Sequence, residues 1–435
     1  MIRILFPSVI AVLIVTAPRA QESDVARFIL SSTVDSQLIA QKTHAPVVRK
    51  HSFTMPLISD AEIRLRKGDY FNTLPEDVAG LRYTLRLKPR GAGETRALKS
   101  FQNAQEVYEE QRTGTTFNEQ VIRRYLMVID LLEQKMVEQS YEDLVTLYED
   151  RIKVMDQLKN STDFDLNDLI KAEKDLSKVM VDQIEEEQEV TVMCDEIGTM
   201  IGDSSFDGFG DSGLVQVSGI KAHIDSTEFV LDESNLTLQY LKSRFELAEC
   251  RYRLEMAENR NIVSFFEFSY DHPNMVKELD KKERNDKLGD LRNAFNFEVG
   301  IKIPGVSADR QNIARRQIQF LKDREEYQQL RRELQAKMKK DESDIRALIR
   351  EYEFLTARET EVDAEASLKK YMQMSGVDPL VLLSIKESLI KNGVEKASIY
   401  FSILRNFIYV LDVTGQLSHK PLRNFLSARC EVIEP

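Results

Sequence analysis

The sequence contains few of the residues that interrupt helices or build disulfide and metal sites. Its 435 residues include 17 glycines, 11 prolines, three cysteines and no tryptophan. So little glycine and proline is typical of long helices rather than loops. The cysteines, Cys194, Cys250 and Cys430, are too few and too far apart for a disulfide framework or a zinc site. We expect isolated buried thiols, with one bridge between Cys194 and Cys250 as the alternative.

Concentrated positive charge is also missing. The net charge of -12 and the absence of a basic face argue against nucleic-acid binding, because phosphate contacts need clustered cations. The sequence shows no nucleophile beside a base, no paired carboxylates in an obvious cleft and no dinucleotide fingerprint. We therefore expect no enzyme activity, no catalytic residue and no cofactor.

Residues that could indicate chemistry have simpler interpretations. Gly91 and Gly93 precede a helix without the GK[ST] ending of a phosphate loop, which favours a strand-to-helix turn. Asp203, Asp207 and Asp211 lack the residue order of a calcium loop, although a bound cation remains an alternative. No metal-type or triad-type spacing links the five histidines, so we expect no metal site; they are His44, His51, His223, His272 and His419.

Long apolar runs are absent beyond the N-terminus. The first residues combine Arg3, an apolar run to about Ala17 and small residues near Ala20. This pattern predicts a cleaved secretory signal at 1–20, with an uncleaved anchor as the alternative. No later run approaches the roughly 20 apolar residues of a spanning helix. We expect an exported chain without a helical membrane anchor.

Four short segments show the alternation of β-strands. In 295–303 the odd positions are apolar and the even positions are asparagine, glutamate, glycine and lysine, and Pro304 ends the pattern. The segment LRYTLRLKP at 81–89 alternates in the same way. Two weaker strands are predicted at 61–67 and 263–270. The alternation gives a strand one apolar and one polar face, although the apolar residues of 263–270 fall on both faces.

Long helices follow these strands. Between Ala308 and Met374 there is no proline or glycine, and apolar residues recur at intervals of seven, with Asp341 as the break in one row. A heptad seam predicts packing against other helices. A helix of this length would measure about 100 Å, longer than the diameter of a single globular core.

The same plan occurs twice in the chain. Leu87 and Ile303 are equivalent strand ends, Asn160 and Gly376 follow equivalent long helices, and both pairs differ by 216 residues. This spacing predicts two tandem repeats, each with two strands and a long helical hairpin. The predicted organisation is a signal peptide at 1–20, an N-terminal segment at 21–60, repeat 1 at 61–201, a linker at 202–230, repeat 2 at 231–417 and a tail at 418–435.

Four amphipathic strands in an exported chain need further partners. Their open edges favour aggregation, and four strands alone cannot shelter an apolar face. Closure with strands of other copies into a transmembrane barrel removes every edge. The fold class predicted is therefore mainly α with a small β part, in which strands of several chains form a barrel.

The sequence resembles the TolC-type outer-membrane efflux protein family, as a divergent member. The resemblance spans about Asp60 to Leu417 and rests on FEVGIKIPGVSADRQNIARRQ and LRYTLRLKPRGAGETRALKS at the strand-to-helix crossings, and on DLNDLIKAEKDL, GVDPLVLLSIKESL and ELAECRYRLEMAE. It implies a homotrimer in which each subunit gives four strands to one outer-membrane barrel. It also implies a periplasmic α-helical barrel and partners in a periplasmic adaptor protein and an inner-membrane pump.

Two groups of candidate functional residues follow. If the apolar face meets lipid, the pore lining is predicted to be cationic overall, since six positions are basic and two are acidic. Pairing of these charges across strands is the alternative. The lining residues are Arg64, Arg66, Arg82, Arg86, Lys88, Glu267, Glu298 and Lys302. The hairpin tips implied to contact the adaptor are Asn160, Phe164, Leu166, Asp168, Gly376, Leu380, Leu382 and Ser384.

One departure from the family pattern affects the predicted function. Where the resemblance implies acidic residues ringing the tunnel entrance, this chain has the sequence LVLLSIK at 380–386. An apolar entrance passes hydrated solutes poorly or serves as a contact surface. We expect the exit duct of a tripartite efflux or type I-like secretion system, in the outer membrane with a periplasmic extension. The alternative is a non-conducting TolC-like structural component of an envelope machine.

Overall fold

The fold is mainly helical with a small antiparallel sheet, as the sequence predicts. The computed structural model describes residues 25–31, 38–39, 57–68, 80–159, 165–210, 213–226, 229, 231, 233–273, 295–303, 307–362, 379–417, 419 and 421–433. The elements follow in the order β1 (Ile58–Gly68), β2 (Gly80–Pro89), α1 (Ala92–Gln157), α2 (Leu166–Ile201), α3 (Val217–Ser226), α4 (Leu236–Arg260), β3 (Val263–Pro273), β4 (Phe295–Ile301), α5 (Ser307–Val362) and α6 (Pro379–Val413).

The strands form one four-stranded sheet in the order β1-β2-β3-β4, with every pair antiparallel. The central pairing of β2 with β3 joins strands from the two predicted repeats. Strand, strand, long helix and second helix occur twice along the chain. The tandem repeat itself, and the closure of the sheet with other copies, stay predictions.

The chain divides into two compact units, of which one contains the sheet. This unit comprises the described residues of Ala40–Thr113 and Thr237–Arg331. Its helices are held by ring contacts between α4 and α5, where Tyr252 stacks on Phe320 and Phe245 packs against Tyr327. Arg244 on α4 adds a salt bridge of 2.6 Å to Asp323 on α5. The heptad positions Phe320 and Tyr327 therefore pack against another helix, as a seam requires.

The other unit contains the hydrophobic core and comprises the described residues of Met1–Ile39, Gly114–Leu236 and Arg332–Pro435. Apolar side chains from α1, α2, α3, α5 and α6 meet in it, and many are fully buried, including Val128, Ile197, Ile345 and Leu404. A short helical segment at 25–31 adds Phe28 and Ile29, both fully buried. Part of the predicted N-terminal segment at 21–60 thus contributes to this core.

Two segments contain more structure than their composition indicates. The predicted linker, 202–230, includes helix α3, whose Val217, Ile220 and Ile224 are buried at helical spacing. The predicted tail includes 421–433, which packs back onto the core through Phe425 and Leu426. The backbone N–H of Val215 donates to the carbonyl of Leu426, so a hydrogen bond joins the predicted linker to the predicted tail.

Several sequence predictions concern residues outside those that the structure describes. They include the signal peptide at 1–20, the continuation of the long helix from 363 to Met374, and His44 and His51. The alternative of a bridge between Cys194 and Cys250 is wrong, because both thiols are free, as is that of Cys430. Cys194 is buried and the other two are partly buried.

Candidate functional site

The strand register gives the sheet an apolar face and a polar face. Directly paired residues in an antiparallel sheet share a face. One row joins Ile63, Leu85, Phe268 and Phe297, and the next joins Leu65, Tyr83, Tyr270 and Phe295. These side chains are large, and all except the half-buried Tyr270 are exposed, with Ile63 at 81% and Phe295 at 74%. An apolar surface of this kind needs a partner or a lipid environment.

The opposite face collects seven of the eight predicted pore-lining residues. Arg86, Glu267 and Glu298 share one row of the register, and Arg66 pairs with Arg82 in another. Arg64 lies on the same face, in the row between those of Arg86 and Arg66. Lys88 also lies on this face, on the other side of the row of Arg86. Lys302 lies outside the strands: its Nζ binds Asp309 at 3.0 Å and the side chain of Asn259 at 3.1 Å, where the chain passes from β4 to α5.

Two carboxylates of this face were missed in the sequence. Glu62 lies within the strand predicted at 61–67 and Asp60 lies two residues before it, so the period of two places both on the face of Arg64. Glu62 accepts two hydrogen bonds from Arg64, at 2.5 and 2.6 Å. Lys88 lies 2.9 Å from Asp60. The face therefore carries paired charges as well as the cations counted in the sequence.

An arginine, an aromatic ring and a glycine form a small cluster on the polar face. The guanidinium of Arg86 stacks on the ring of Phe265, 3.8 Å from its centroid, and its Nε lies 4.0 Å from Glu267. Phe265 pairs with Gly300 across the sheet, next to a register shift in β3. A Cβ at position 300 would collide with the Phe265 ring, so glycine is required for this ring to lie flat on the strand.

A second polar cluster fixes the crossing from β2 into α1. Glu94 is 8% exposed, forms a salt bridge with Arg90 at 3.4 Å, and accepts from the amide of Asn261 at 3.3 Å. Asn261 also donates to the carbonyl of Pro89 at 2.9 Å. Burial, together with Glu255 and Glu94, raises the pKa of the neighbouring Glu258. These contacts tie the sheet to the helices that continue it.

The second candidate region is formed by the helix ends near the predicted hairpin tips. Leu380 of α6 packs against a small cluster of Met155, Leu169 and Ala172. Leu166 and Asp168, in the first turn of α2, are exposed, and Asp165 caps this helix by accepting from the backbone of Asn167. Leu382 is half-buried and Ser384 is exposed. The predicted tip residues Asn160, Phe164 and Gly376 lie outside the described residues.

A carboxylate that the sequence did not reveal joins two helices close to these ends. Glu387 of α6 accepts from Tyr148 of α1 at 2.9 Å, lies 3.5 Å from Arg151 and receives Lys391 at 2.7 Å. Burial raises the pKa of Glu387, but hydrogen bonds from Lys391 and Tyr148 outweigh burial and hold the pKa below its ordinary range. Burial and the bond to Glu387 raise the pKa of Tyr148 to about 12.

Within the part of the chain that the structure describes, no group of three or more His, Cys, Asp or Glu residues is placed to hold a metal ion. Among the same residues, no helix reaches the length and apolarity that crossing a membrane requires.

Comparison with solved structures identifies the fold. The outer-membrane channel OprN matches with a TM-score of 0.63 and 12% identity, over 91% of this chain and 90% of that one. The CmeC outer membrane channel of Campylobacter jejuni matches with a TM-score of 0.64 and 9% identity, over 95% and 87%. The chain has the fold of the TolC-type outer-membrane efflux channels. The resemblance inferred from the sequence is therefore confirmed for the fold.

Another protein of this fold, the outer membrane protein VceC of Vibrio cholerae, has a TM-score of 0.60 and 12% identity, with coverage of 90% and 96%. No protein-family model matches the sequence, and no curated protein matches it. With identities of 9–12%, side chains have diverged while the order of strands and long helices has not. The similarity to these channels therefore lies in the order and length of the elements and not in residue identity.

Proposed function

We propose that the chain is one subunit of a trimeric outer-membrane channel, the exit duct of a tripartite efflux or type I-like secretion system. The observation that carries the proposal is the four-stranded sheet. It exposes large apolar side chains on one face, gathers charged side chains on the other, and gives β1 and β4 one neighbouring strand each. Three such sheets joined edge to edge make a barrel with lipid outside and a polar lumen inside.

The lumen in this proposal is lined by Arg64, Arg66, Arg82, Arg86, Lys88, Glu267 and Glu298, with Asp60 and Glu62 added. The outward face, with Ile63, Leu85 and Phe297, meets outer-membrane lipid. The helices extend into the periplasm as an α-helical barrel, in line with the solved structures of the same fold. A secretory signal at 1–20 delivers the chain to this compartment.

The partners in this proposal are a periplasmic adaptor protein and an inner-membrane pump, which supplies the energy. The adaptor meets the helix ends, where Leu166 and Asp168 of α2 are exposed and Leu380 of α6 joins the two hairpins. Apolar side chains at helix ends provide knobs for packing of partner helices. Leu166→Glu is expected to weaken adaptor pull-down, whereas Glu173→Gln, an exposed change on the same helix, is the control.

The decisive experiment is conductance of the purified trimer in planar bilayers, combined with solute susceptibility of a strain that lacks the gene. A duct predicts discrete conductance steps and increased sensitivity to exported solutes, both restored by the wild-type gene. Stable trimers that pass no current, in a strain with unchanged susceptibility, would contradict the duct.

A non-conducting structural role is the second candidate, and one observation favours it. The first turns of α6 present an apolar sequence, and Val381 is 51% exposed, where acidic side chains are expected at a tunnel entrance. An apolar constriction excludes hydrated solutes. In that case deletion would disturb the assembly of an envelope machine without changing drug susceptibility.

A further inference from the structure

The charges of the polar face are unevenly distributed along the strands. Toward the end where β2 leads into α1 lie four carboxylates and two cations, namely Asp60, Glu62, Glu267 and Glu298 with Arg86 and Lys88. Toward the other end the register contains three cations and one carboxylate, namely Arg64, Arg66 and Arg82 with Asp271. The half nearer the helices is therefore acidic and the half farther from them is basic.

Three of the four carboxylates in the half nearer the helices lie in ion pairs. Lys88 pairs with Asp60, Arg86 lies beside Glu267, and Arg64 binds Glu62. Glu298 is exposed in the acidic half, and Arg66 is exposed in the basic half. The row between them contains Thr84, Ser269 and Asn296 opposite Arg64. A row rich in hydroxyl and amide groups, whose one charge, Arg64, is paired with Glu62, thus separates the acidic end from the basic end.

From these positions we propose that the lumen of the barrel is bipolar, with a ring of carboxylates at the helix end and a ring of guanidinium groups at the far end. This inference rests on the proposed function, because it needs the polar face to line a pore. Glu298 and Arg66 occupy rows four residues apart, a distance of about 13 Å along a strand. That separation exceeds the Debye length of about 8 Å at physiological ionic strength, so the two rings act as distinct zones.

A bipolar lumen specifies how ions move through it. The carboxylate ring admits cations and the guanidinium ring admits anions, so a voltage that is positive at the helix end fills the pore with both ions. The opposite voltage depletes the pore of both cations and anions, so the current is smaller. The channel therefore rectifies, and its overall preference between cations and anions is weak because the two zones oppose each other.

The electrostatic potential of the two rings also discriminates among solutes by their charge. A solute with a net charge of either sign passes one zone favourably and meets repulsion in the other. A zwitterionic solute gains in both zones when its cationic end lies toward the helices. Solutes that carry both signs of charge are therefore the class to which this lumen is best suited.

The test uses the full chain, purified in detergent and inserted into planar bilayers. At about 0.1 M salt, where the Debye length of about 10 Å is shorter than the separation of the rings, the wild-type current is expected to differ at least about 1.5-fold between the two voltage signs. At about 1 M salt the ratio is expected to fall to about one, since charges are screened within about 3 Å. Reversal potentials in a salt gradient give ion preference without knowledge of the insertion direction.

Two single substitutions separate the rings. Glu298→Gln weakens the carboxylate ring and is expected to shift the reversal potential toward anion preference. Arg66→Gln weakens the guanidinium ring and is expected to shift it toward cation preference. Ser269→Ala, which changes no charge and lies in the row between the two rings, is the control and leaves both quantities unchanged. Trimer content of each variant is checked in detergent before recording.

Two results would overturn the inference. A wild-type channel with a linear current at the lower salt concentration and strong anion preference has a uniformly cationic lining instead. Shifts of Glu298→Gln and Arg66→Gln in the same direction would also contradict separate zones. Intact trimers that pass no current contradict the proposed function and this inference together, whereas conduction without rectification contradicts this inference alone.

Discussion

Tyr148 on α1 and Glu387 on α6 are joined by a hydrogen bond of 2.9 Å, although 239 residues separate them in the sequence. The Glu387 carboxylate also lies 3.5 Å from Arg151 and 2.7 Å from Lys391. Tyr148 is 7% exposed, so its hydroxyl has little access to water as an alternative partner. This carboxylate is one of the polar links between the first long helix and the last, and it lies close to the apolar cluster around Leu380.

Replacing Glu387 is expected to loosen that link. Glu387→Ala leaves Tyr148 and Arg151 without their acceptor, and loss of charge-assisted hydrogen bonds at a partly exposed site costs about 1–2 kcal/mol. Amide hydrogen exchange should increase around 145–155 and 384–391, with the core around Leu404 unchanged. Ser388→Ala, an exposed change one residue along α6, is the control. Equal exchange in Glu387→Ala and Ser388→Ala would contradict a structural role for the carboxylate.

Asp412 is expected to make stability depend on pH. Burial raises the pKa of Asp412 above its ordinary value of 3.8, although the hydrogen bond from Asn118 and the nearby Lys337 act in the opposite direction. The folded state therefore binds the proton more tightly than the unfolded state. This contribution to the free energy of unfolding is complete below pH 3.8 and is lost as the pH rises through the raised pKa.

The variant Asp412→Asn tests this assignment. Asn118 donates to Oδ1 of Asp412 at 2.7 Å, and an asparagine oxygen accepts the same bond. The fall in thermal unfolding midpoint between pH 4 and pH 7 should be smaller in Asp412→Asn than in the wild type. It should not vanish, because burial also raises the pKa of Asp341. Identical pH profiles for the two proteins would show that Asp412 is charged in the fold at no cost.

Tyr125 is expected to hold the C-terminal segment on the core. Its hydroxyl donates to the carbonyl of Arg423 at 2.5 Å and accepts from the amide of Phe425 at 3.4 Å, and the side chain is 1% exposed. Tyr125→Phe leaves both backbone groups unpaired, which costs about 1–3 kcal/mol. Limited proteolysis should then cleave 421–433 faster. Tyr409→Phe is the control for loss of a hydroxyl elsewhere, and equal cleavage rates would exclude this anchor.

Gly300 is expected to be needed for the order of the polar face. In Gly300→Ala the new methyl group meets the Phe265 ring, which must move and take the stacked Arg86 guanidinium with it. We expect a lower dissociation temperature of the trimer in detergent. Gly93→Ala, where no atom lies within 4 Å of the added Cβ, is the matched control. A variant as heat-resistant as the wild type would mean that Phe265 has room to turn.

Much of this fold is readable from the sequence because it follows local periods. Alternation at 81–89 and 295–303 predicts strands with one polar face, and the structure places Arg82, Arg86 and Glu298 together on it. Helix length follows from the absence of proline and glycine after Ser307. These features depend on residues close in sequence, so a single chain reveals them.

The remaining features depend on contacts between distant residues. No local period marks 421–433, because its order comes from backbone bonds to 213–215 and from Tyr125. The sequence around Glu387 is that of an exposed helix surface, and its partner Tyr148 on α1 becomes visible only in the folded structure. Phe265 lies on the polar face, two residues before Glu267, and its apolar side chain there breaks the hydrophobic alternation that identifies a strand face.

The central claim is that the four strands of one chain shelter their apolar face only by closing with the strands of other copies. Light scattering of the purified mature protein, with and without detergent, measures this most directly. A shared barrel predicts a trimer in detergent and insoluble protein after detergent removal. A protein that remains monomeric in water without detergent would contradict the shared barrel, and with it the channel and its bipolar lumen.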